Sequence, residues 1–434
     1  MATLPIPTGS HGTRKPLRPA ASPARLLVTV GAAAILFGFG PASAQTVRIA
    51  FIEGLSGPFA PVGQNILKET QYVAEMANSK GWAGKDVKFE VLPFDGKASP
   101  QESLTQLKSV IDQGIRYVMQ GNSSAVALAL SDAITKHNER NPGQELVFFN
   151  YAAVDPALTN DKCSFWHFRL DANADQKMEA LTTYMKDSKD IKKVYLINQN
   201  YSFGQAVAAA AKEMLARKRP DVQITGEDFH PIGQVKDFSP YIAKIKQSGA
   251  DSVITGNWGA DLALLIKAAR EANLTANFYT YYAGTTGVPT AMGAGGEDRV
   301  RQVAVWSPNE KAFTGKDIRE DFEKKYQADY YVAQTYHTVK LLSEGITKSK
   351  STDPVKVAHA MRGAKFDSIN GEVEMRALDH QLQQQLVILS WQKKDGNNVK
   401  YDDEKTGYGW RTESLQPAFV GVQPSSCKMK VPAK

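Results

Sequence analysis

The chain has 434 residues, with 42% hydrophobic and 22% charged side chains, a balance that excludes collagen, extended disorder and a polytopic membrane protein. Its 52 Lys and Arg against 45 Asp and Glu leave a net charge of +7, but Arg14, Lys15, Arg18 and Arg25 lie in the first 25 residues, which hold no acid, so the remainder carries only +3. So small a charge on so large a surface argues against a nucleic-acid or membrane-surface partner.

The basic N-terminus runs into an apolar stretch from Leu26 to Phe39, followed by Pro41 and the small residues Ala42, Ser43 and Ala44. A helix of that length spans only ~21 Å against the ~30 Å of a hydrocarbon core, so residues 1–44 read as a secretory signal cleaved after Ala44 and not as an anchor. Gln45 stands where a lipidated protein would need cysteine, and no later run approaches a spanning length. The mature chain is expected to be soluble and exported. In an oxidising compartment an even cysteine count favours pairing, so Cys163 and Cys427 are expected to form one bridge; two buried thiols are the alternative.

Beyond the signal, β-rich runs alternate with amphipathic ones. Val47–Gly54 reads as a strand and Ile66, Leu67, Val73, Ala74 and Ala77 as the apolar stripe of the helix after it. Lys88–Phe94 is the next strand; Leu104, Leu107 and Ile111 repeat at helical spacing, and Tyr117–Met119 returns to strand. The rhythm continues with strand Val194–Asn198, helix Phe203–Arg217, strand Ser252–Thr255, a helix carrying Leu262, Leu265, Ile266 and Ala269, and strands Phe278–Tyr282 and Arg301–Trp306. Such alternation predicts an α/β fold of parallel sheets covered by helices on both faces, in two blocks at about 46–165 and 170–302. Helical patterns at Lys316–Tyr326, Tyr331–Ser349 and Pro354–Met361 follow, then strand-like runs at Glu372–Met375 and Leu386–Gln392.

Catalytic signatures are missing from the sequence. The glycines around Gly293, Gly295 and Gly296 do not form a dinucleotide fingerprint, no phosphate-binding P-loop motif exists, and Gly121-Asn122-Ser123-Ser124-Ala125 lacks the closing glycine of a nucleophile elbow. His137-Asn138-Glu139 has the spacing of a zinc deaminase but no P-C-x-x-C partner, and reads as a solvated helix end. The expectation is a protein that is not an enzyme and needs neither cofactor nor metal. A remote alternative is an exported hydrolase using Ser123 or Ser124.

Five segments in order carry a family resemblance: Gly54-Leu55-Ser56-Gly57-Pro58 with Gly63, Gln113-Gly114-Ile115-Arg116-Tyr117-Val118 before a serine pair, Asp155-Pro156-Ala157-Leu158-Thr159, Tyr201-Ser202-Phe203-Gly204, and Ser248-Gly249-Ala250-Asp251. Over about 47–400 the chain resembles the periplasmic branched-chain amino-acid-binding family, type I solute receptors of ABC importers. The resemblance implies two doubly wound lobes joined by three crossovers, 46–167 with 307–376 and 168–306 with 377–425, followed by a tail at 426–434. It also implies a periplasmic monomer that closes on a small solute and docks on an inner-membrane ABC permease. A sensor of the amide or urea type keeps the same fold and is the main alternative.

In open α/β sheets a ligand binds beyond the carboxyl ends of the strands, at helix N-termini. Ser123 and Ser124 stand there, between strand Tyr117–Met119 and the helical run Ala125–Ile134; the plain alternative is an N-cap. Their family counterparts touch the solute's carboxylate. Ala152 and Val154 align with positions that grip the same group, Val154 replacing a threonine. Phe59, Phe203, Trp258 and Tyr282 lie at loop or strand ends and together suggest a flat apolar wall. Tyr282 stands where relatives that bind α-amino acids usually carry a glutamate for the ammonium. Unless Asp261 or another acid reaches the site, aromatic or branched organic acids are expected over amino acids.

Overall fold

The computed structural model describes residues 45–433; the expected signal, 1–44, lies outside the described residues. The first half of the chain builds β1 (Gln45–Glu53), α1 (Ala60–Lys80), β2 (Val87–Asp95), α2 (Pro100–Asp112), β3 (Tyr117–Gln120), α3 (Ser124–Arg140), β4 (Val147–Asn150) and β5 (His167–Arg169). Each strand is followed by a long return, so neighbours pair in parallel, in the order β2-β1-β3-β4-β5. Every residue of β3 and β4 is buried, as helices on both faces demand.

A second sheet takes over from α4 (Ala174–Met185), which opens on a reciprocal cap between Asn173 and Gln176. Its elements are β6 (Lys193–Gln199), α5 (Ser202–Lys218), β7 (Gln223–His230), α6 (Ser239–Ser248), β8 (Ser252–Thr255), α7 (Gly259–Glu271), β9 (Asn277–Thr280), α8 (Val288–Met292) and β10 (Val300–Ala304). The chain then returns to the first half: α9 (Lys316–Tyr326) sets Phe322 edge-on to Tyr72 of α1, and α10 (Ala333–Ser349) sets Tyr336 against Trp82. After α11 (Pro354–Met361), a small antiparallel sheet of β11 (Lys365–Ser368), β12 (Gly371–Met375) and β13 (Leu382–Gln383) leads to β14 (Leu386–Lys393) and β15 (Tyr408–Gln416), which join the second sheet. The second sheet runs β15-β14-β10-β9-β8-β6-β7. Two α/β halves linked by three crossings of the chain result.

The second sheet departs from the uniformly parallel arrangement that the strand–helix rhythm predicts. β14 pairs antiparallel with both β10 and β15; the pairing with β15 follows from the direct succession of the two strands with no crossover helix between them. The loop that joins them leans on the first half, where Tyr401 donates to Glu320 at 2.6 Å and the Glu404 amide to Asp329 at 2.6 Å. Cys163 and Cys427 form a disulfide with Cα atoms 5.7 Å apart. Among the described residues, no helix is long and apolar enough to cross a membrane.

Candidate functional site

A cleft lies between the halves, lined from one side by the β3–α3 loop and from the other by the loops after β6, β8 and β9. The β3–α3 loop is shaped from beneath by a residue that sequence patterns do not single out. Glu53, at the end of β1 and buried, accepts hydrogen bonds from the amides of Gly121 (2.7 Å) and Asn122 (2.8 Å) and from the Tyr151 hydroxyl (2.5 Å). Burial raises its carboxyl above the usual range, while those hydrogen bonds pull it back. Gly121 permits the close approach, since a Cβ there would lie 2.6 Å from the Ala152 nitrogen.

Ser123 caps α3, its Oγ accepting from the Val126 amide at 3.5 Å, and Ser124 Oγ accepts from the Asp155 amide at 3.2 Å. Each hydroxyl hydrogen therefore stays available to a ligand. The amides of Ser124 and Ala125 find no partner among the described residues, as the first turn of a helix dictates, and the buried Nδ2 of Asn122 has none either. Donors and helix dipole converge on one place in the cleft wall, a setting that favours an anion.

The facing wall is aromatic. Tyr201, Phe203, Trp258, Tyr281 and Tyr282 line it, with the Phe203 ring 5.7 Å from Tyr281 and 6.1 Å from Tyr282. The Trp258 indole donates to the Tyr201 hydroxyl at 2.9 Å, which orients both rings. Tyr282 reaches across: its hydroxyl contacts the Ala152 carbonyl at 3.1 Å and the Asp171 carboxylate at 3.2 Å. Asp171 is in turn paired with buried Lys177 at 2.8 Å, whose ammonium lies 4.5 Å from the centre of the Tyr282 ring.

Of the residues singled out in the sequence, Ser123, Ser124, Ala152, Phe203, Trp258 and Tyr282 line the cleft; Phe59 and Val154 do not. Phe59 packs on Trp258 with ring centres 4.2 Å apart and the planes tilted by 33°, from the opposite half, and so joins the two walls from outside the cavity. Val154 is buried one layer behind, its carbonyl accepting from the Ala174 amide. Asp261 does not reach the cleft either, being held by Gln199 at 2.7 Å and the Gly233 amide at 2.8 Å.

The acid that does line the cleft is Asp403, from the β14–β15 loop, 3.4 Å from Arg319 of α9. Burial pushes its carboxyl up to about 7 against the pull of Arg319, with Asp329 adding to the rise. Burial likewise takes Glu69 of α1 to about 8, although the Tyr331 and Val332 amides oppose it. A carboxyl raised on folding takes up a proton, so its stabilising share is lost as pH climbs through the folded value. Glu69 and Asp403 are therefore expected to add roughly 2–3 kcal/mol on going from about pH 8.5 to about pH 6.5. Lower still, buried His337 and His380, depressed by burial to about 4 and about 3, work in the opposite sense and flatten the curve. Scanning calorimetry checks this: the melting temperature should rise across that interval, and a fall would refute it. Among the described residues, no group of three or more His, Cys, Asp or Glu is placed to hold a metal ion.

The sequence model of the family described as periplasmic binding protein matches residues 46–397. The chain belongs to the periplasmic binding proteins. This periplasmic binding protein is 32% identical over 417 residues to the Leu/Ile/Val-binding protein homolog 4 of Brucella abortus, covering 92% of this chain and 97% of the relative. It also matches the crystal structure, in its closed conformation, of the leucine-, isoleucine-, valine-, threonine- and alanine-binding protein of Brucella ovis, with a TM-score of 0.79 and 30% identity over 90% of this chain and 100% of that one. A benzoate-bound solute-binding protein of an ABC transporter from R. palustris shares the fold, with a TM-score of 0.75 and 18% identity over 88% and 100% of the two chains.

Proposed function

We propose that this periplasmic binding protein is the exported receptor of an ABC importer, capturing a small aromatic or branched organic acid between its halves and delivering it to an inner-membrane permease. The lobes are 46–167 with 307–376 and 168–306 with 377–425, the signal is cleaved after Ala44, and the mature protein works as a periplasmic monomer. No covalent chemistry is assigned to it. The observation that carries the reading is the cluster of unpaired donors at the start of α3, opposite an aromatic wall. A carboxylate suits the donors and a flat apolar body suits the rings.

The charge pattern supports an acid over an amino acid. Tyr282 already satisfies the Ala152 carbonyl, Asp171 is paired with Lys177, and Asp403, the acid that lines the cleft, already faces Arg319, so among the described residues lining the cleft an ammonium would meet no carboxylate free of a cation. Because part of the site comes from each half, only the closed form completes the ligand's contacts, and binding shifts the equilibrium toward closure.

The names of the Brucella relatives favour a second reading, branched-chain or other hydrophobic amino acids as solutes. Calorimetric titration separates the two. Benzoate- and cinnamate-type acids are expected to bind at least ~10-fold more tightly than leucine, isoleucine, valine or phenylalanine, a gap of about 1.4 kcal/mol. Ser124→Ala should weaken the acids by roughly 10–100-fold, as the loss of a hydrogen bond to a charged group predicts. Tight leucine binding with silence toward the acids would overturn the proposal.

A further inference from the structure

The cleft does not end at the aromatic wall. It continues toward the crossing between β10 and α9, past Val303, Val305, Trp306 and Tyr330, and in this apolar stretch several buried donors lack partners. Gln302 of β10 uses its Oε1 to accept from the Gly284 amide at 2.8 Å, and among the described residues no hydrogen bond engages its Nε2. Among the described residues, Arg319 Nε is buried with no hydrogen-bond partner, and Trp410 Nε1, also buried, reaches toward Asp403 and lowers its carboxyl without forming a well-aligned hydrogen bond. All three side chains line the same cleft as Ser123 and Ser124, and all are more than nine-tenths buried.

Two of these donors converge. A Cβ added to Gly284 would lie 2.9 Å from Gln302 Nε2 and 3.4 Å from Trp410 Nε1, so glycine leaves open the side on which both point. Gly284 follows Tyr282 by two residues, at most roughly 7 Å of chain, which makes this region an extension of the solute site and not a separate cavity. Buried donors are ordinarily satisfied, and where the protein supplies no acceptor a ligand or water does. The charges nearby select among acceptors. Arg319 already pairs with Asp329 and Asp403, so two acids face one base and a second carboxylate is disfavoured. A neutral acceptor fits, and a hydroxyl fits best because it can also donate to Asp403.

We infer that the cleft has a second polar pole, formed by Gln302, Trp410 and Arg319 beside Gly284, which takes a hydroxyl or carbonyl group at the end of the solute remote from its carboxylate. This rests on the cleft being a solute site, and it narrows the solute to a molecule with two functional ends.

Calorimetry on matched pairs tests it: benzoate against para-hydroxybenzoate, phenylpropanoate against its para-hydroxy derivative, and phenylalanine against tyrosine. In at least one pair that binds, the hydroxylated member should be favoured about tenfold. Trp410→Phe, which removes one donor, and Gln302→Glu, which keeps the acceptor for Gly284 and removes the other donor, should each lower the hydroxylated member's affinity more than its parent's, bringing the ratio toward one. Equal affinities within every binding pair would mean that water satisfies the donors and would overturn the pole, as would a preference that survives both substitutions or a failure of all six compounds to bind. Binding of the amino-acid pair alone would defeat the organic-acid reading while leaving the pole to be judged on tyrosine against phenylalanine.

Discussion

Replacing Cys163 and Cys427 by serine is expected to lower the stability of the protein by up to about 5 kcal/mol, the largest effect of any change considered. The bridge closes a loop with a sequence separation of 264, and the chain-entropy model assigns a cross-link of that reach a cost of about 5 kcal/mol to the denatured ensemble. Native contacts hold the same junction: the Ser425 hydroxyl donates to the Thr159 carbonyl at 2.8 Å, and the Ser426 amide to Asn160 at 3.0 Å. Neither cysteine lines the cleft. The variant should therefore unfold at lower urea concentration yet bind solute within about threefold of the parent. Intact mass after alkylation without reductant gives an independent check, since two added alkyl groups would mean that the bridge is absent from the native protein.

Lys177→Met is expected to cost about 3–5 kcal/mol. With side-chain exposures of 2% and 0%, Lys177 and Asp171 form an ion pair sealed from water, and removing one partner strands the other charge in a medium that cannot solvate it. Among the described residues, the Asp171 carboxylate would keep as hydrogen-bond donors the Ala172 amide and the Tyr282 hydroxyl. Removing both charges should be far milder, so Asp171→Asn combined with Lys177→Met is expected to recover the greater part of the loss. Urea unfolding of both single variants and the double variant measures the coupling. A loss under about 1 kcal/mol for Lys177→Met would show that water reaches the pair and that the ammonium is not a buried element of the cleft wall.

The fold was legible where the pattern is local. β1, β3 and β8 read as short apolar runs because both faces of each strand are covered, the helices after them carry helical periodicity, and α9 and α11 were readable to the residue. β7 and β15 escaped notice for the opposite reason. Both lie at edges of the second sheet with half-exposed faces, so Glu227 and Asp228 in one, and Arg411 and Glu413 in the other, interrupt the continuous apolar run that a strand covered on both faces would show.

The candidate site divides in the same way. Ser123, Ser124, Trp258 and Tyr282 could be named because a strand end followed by a helix start is visible in sequence, and the fold sends such junctions to the cleft. Glu53, Arg319, Asp403 and Trp410 could not, because their roles depend on partners far along the chain, and Lys177 could not because nothing local marks its pairing with Asp171, six residues earlier, as buried. The Arg319–Asp403 pair spans 84 positions with no motif between them. Phe59 and Val154 lie in the right loops but one layer back, a difference of side-chain direction that residue type does not encode.

The order in which the strands and helices of the two halves alternate along the chain has a consequence for synthesis. The five strands of the first sheet are complete at Arg169, but α9 and α10, which cover α1, begin only at Lys316 and Ala333, and the last strand of the second sheet ends at Gln416. At ribosomal speeds of about 5–20 residues per second, the first half waits roughly 10–30 s with the outer side of α1 bare. Neither half can finish before nearly the whole polypeptide has emerged, so a nascent chain of this topology stays unfinished, and open to chaperones, for most of its translation.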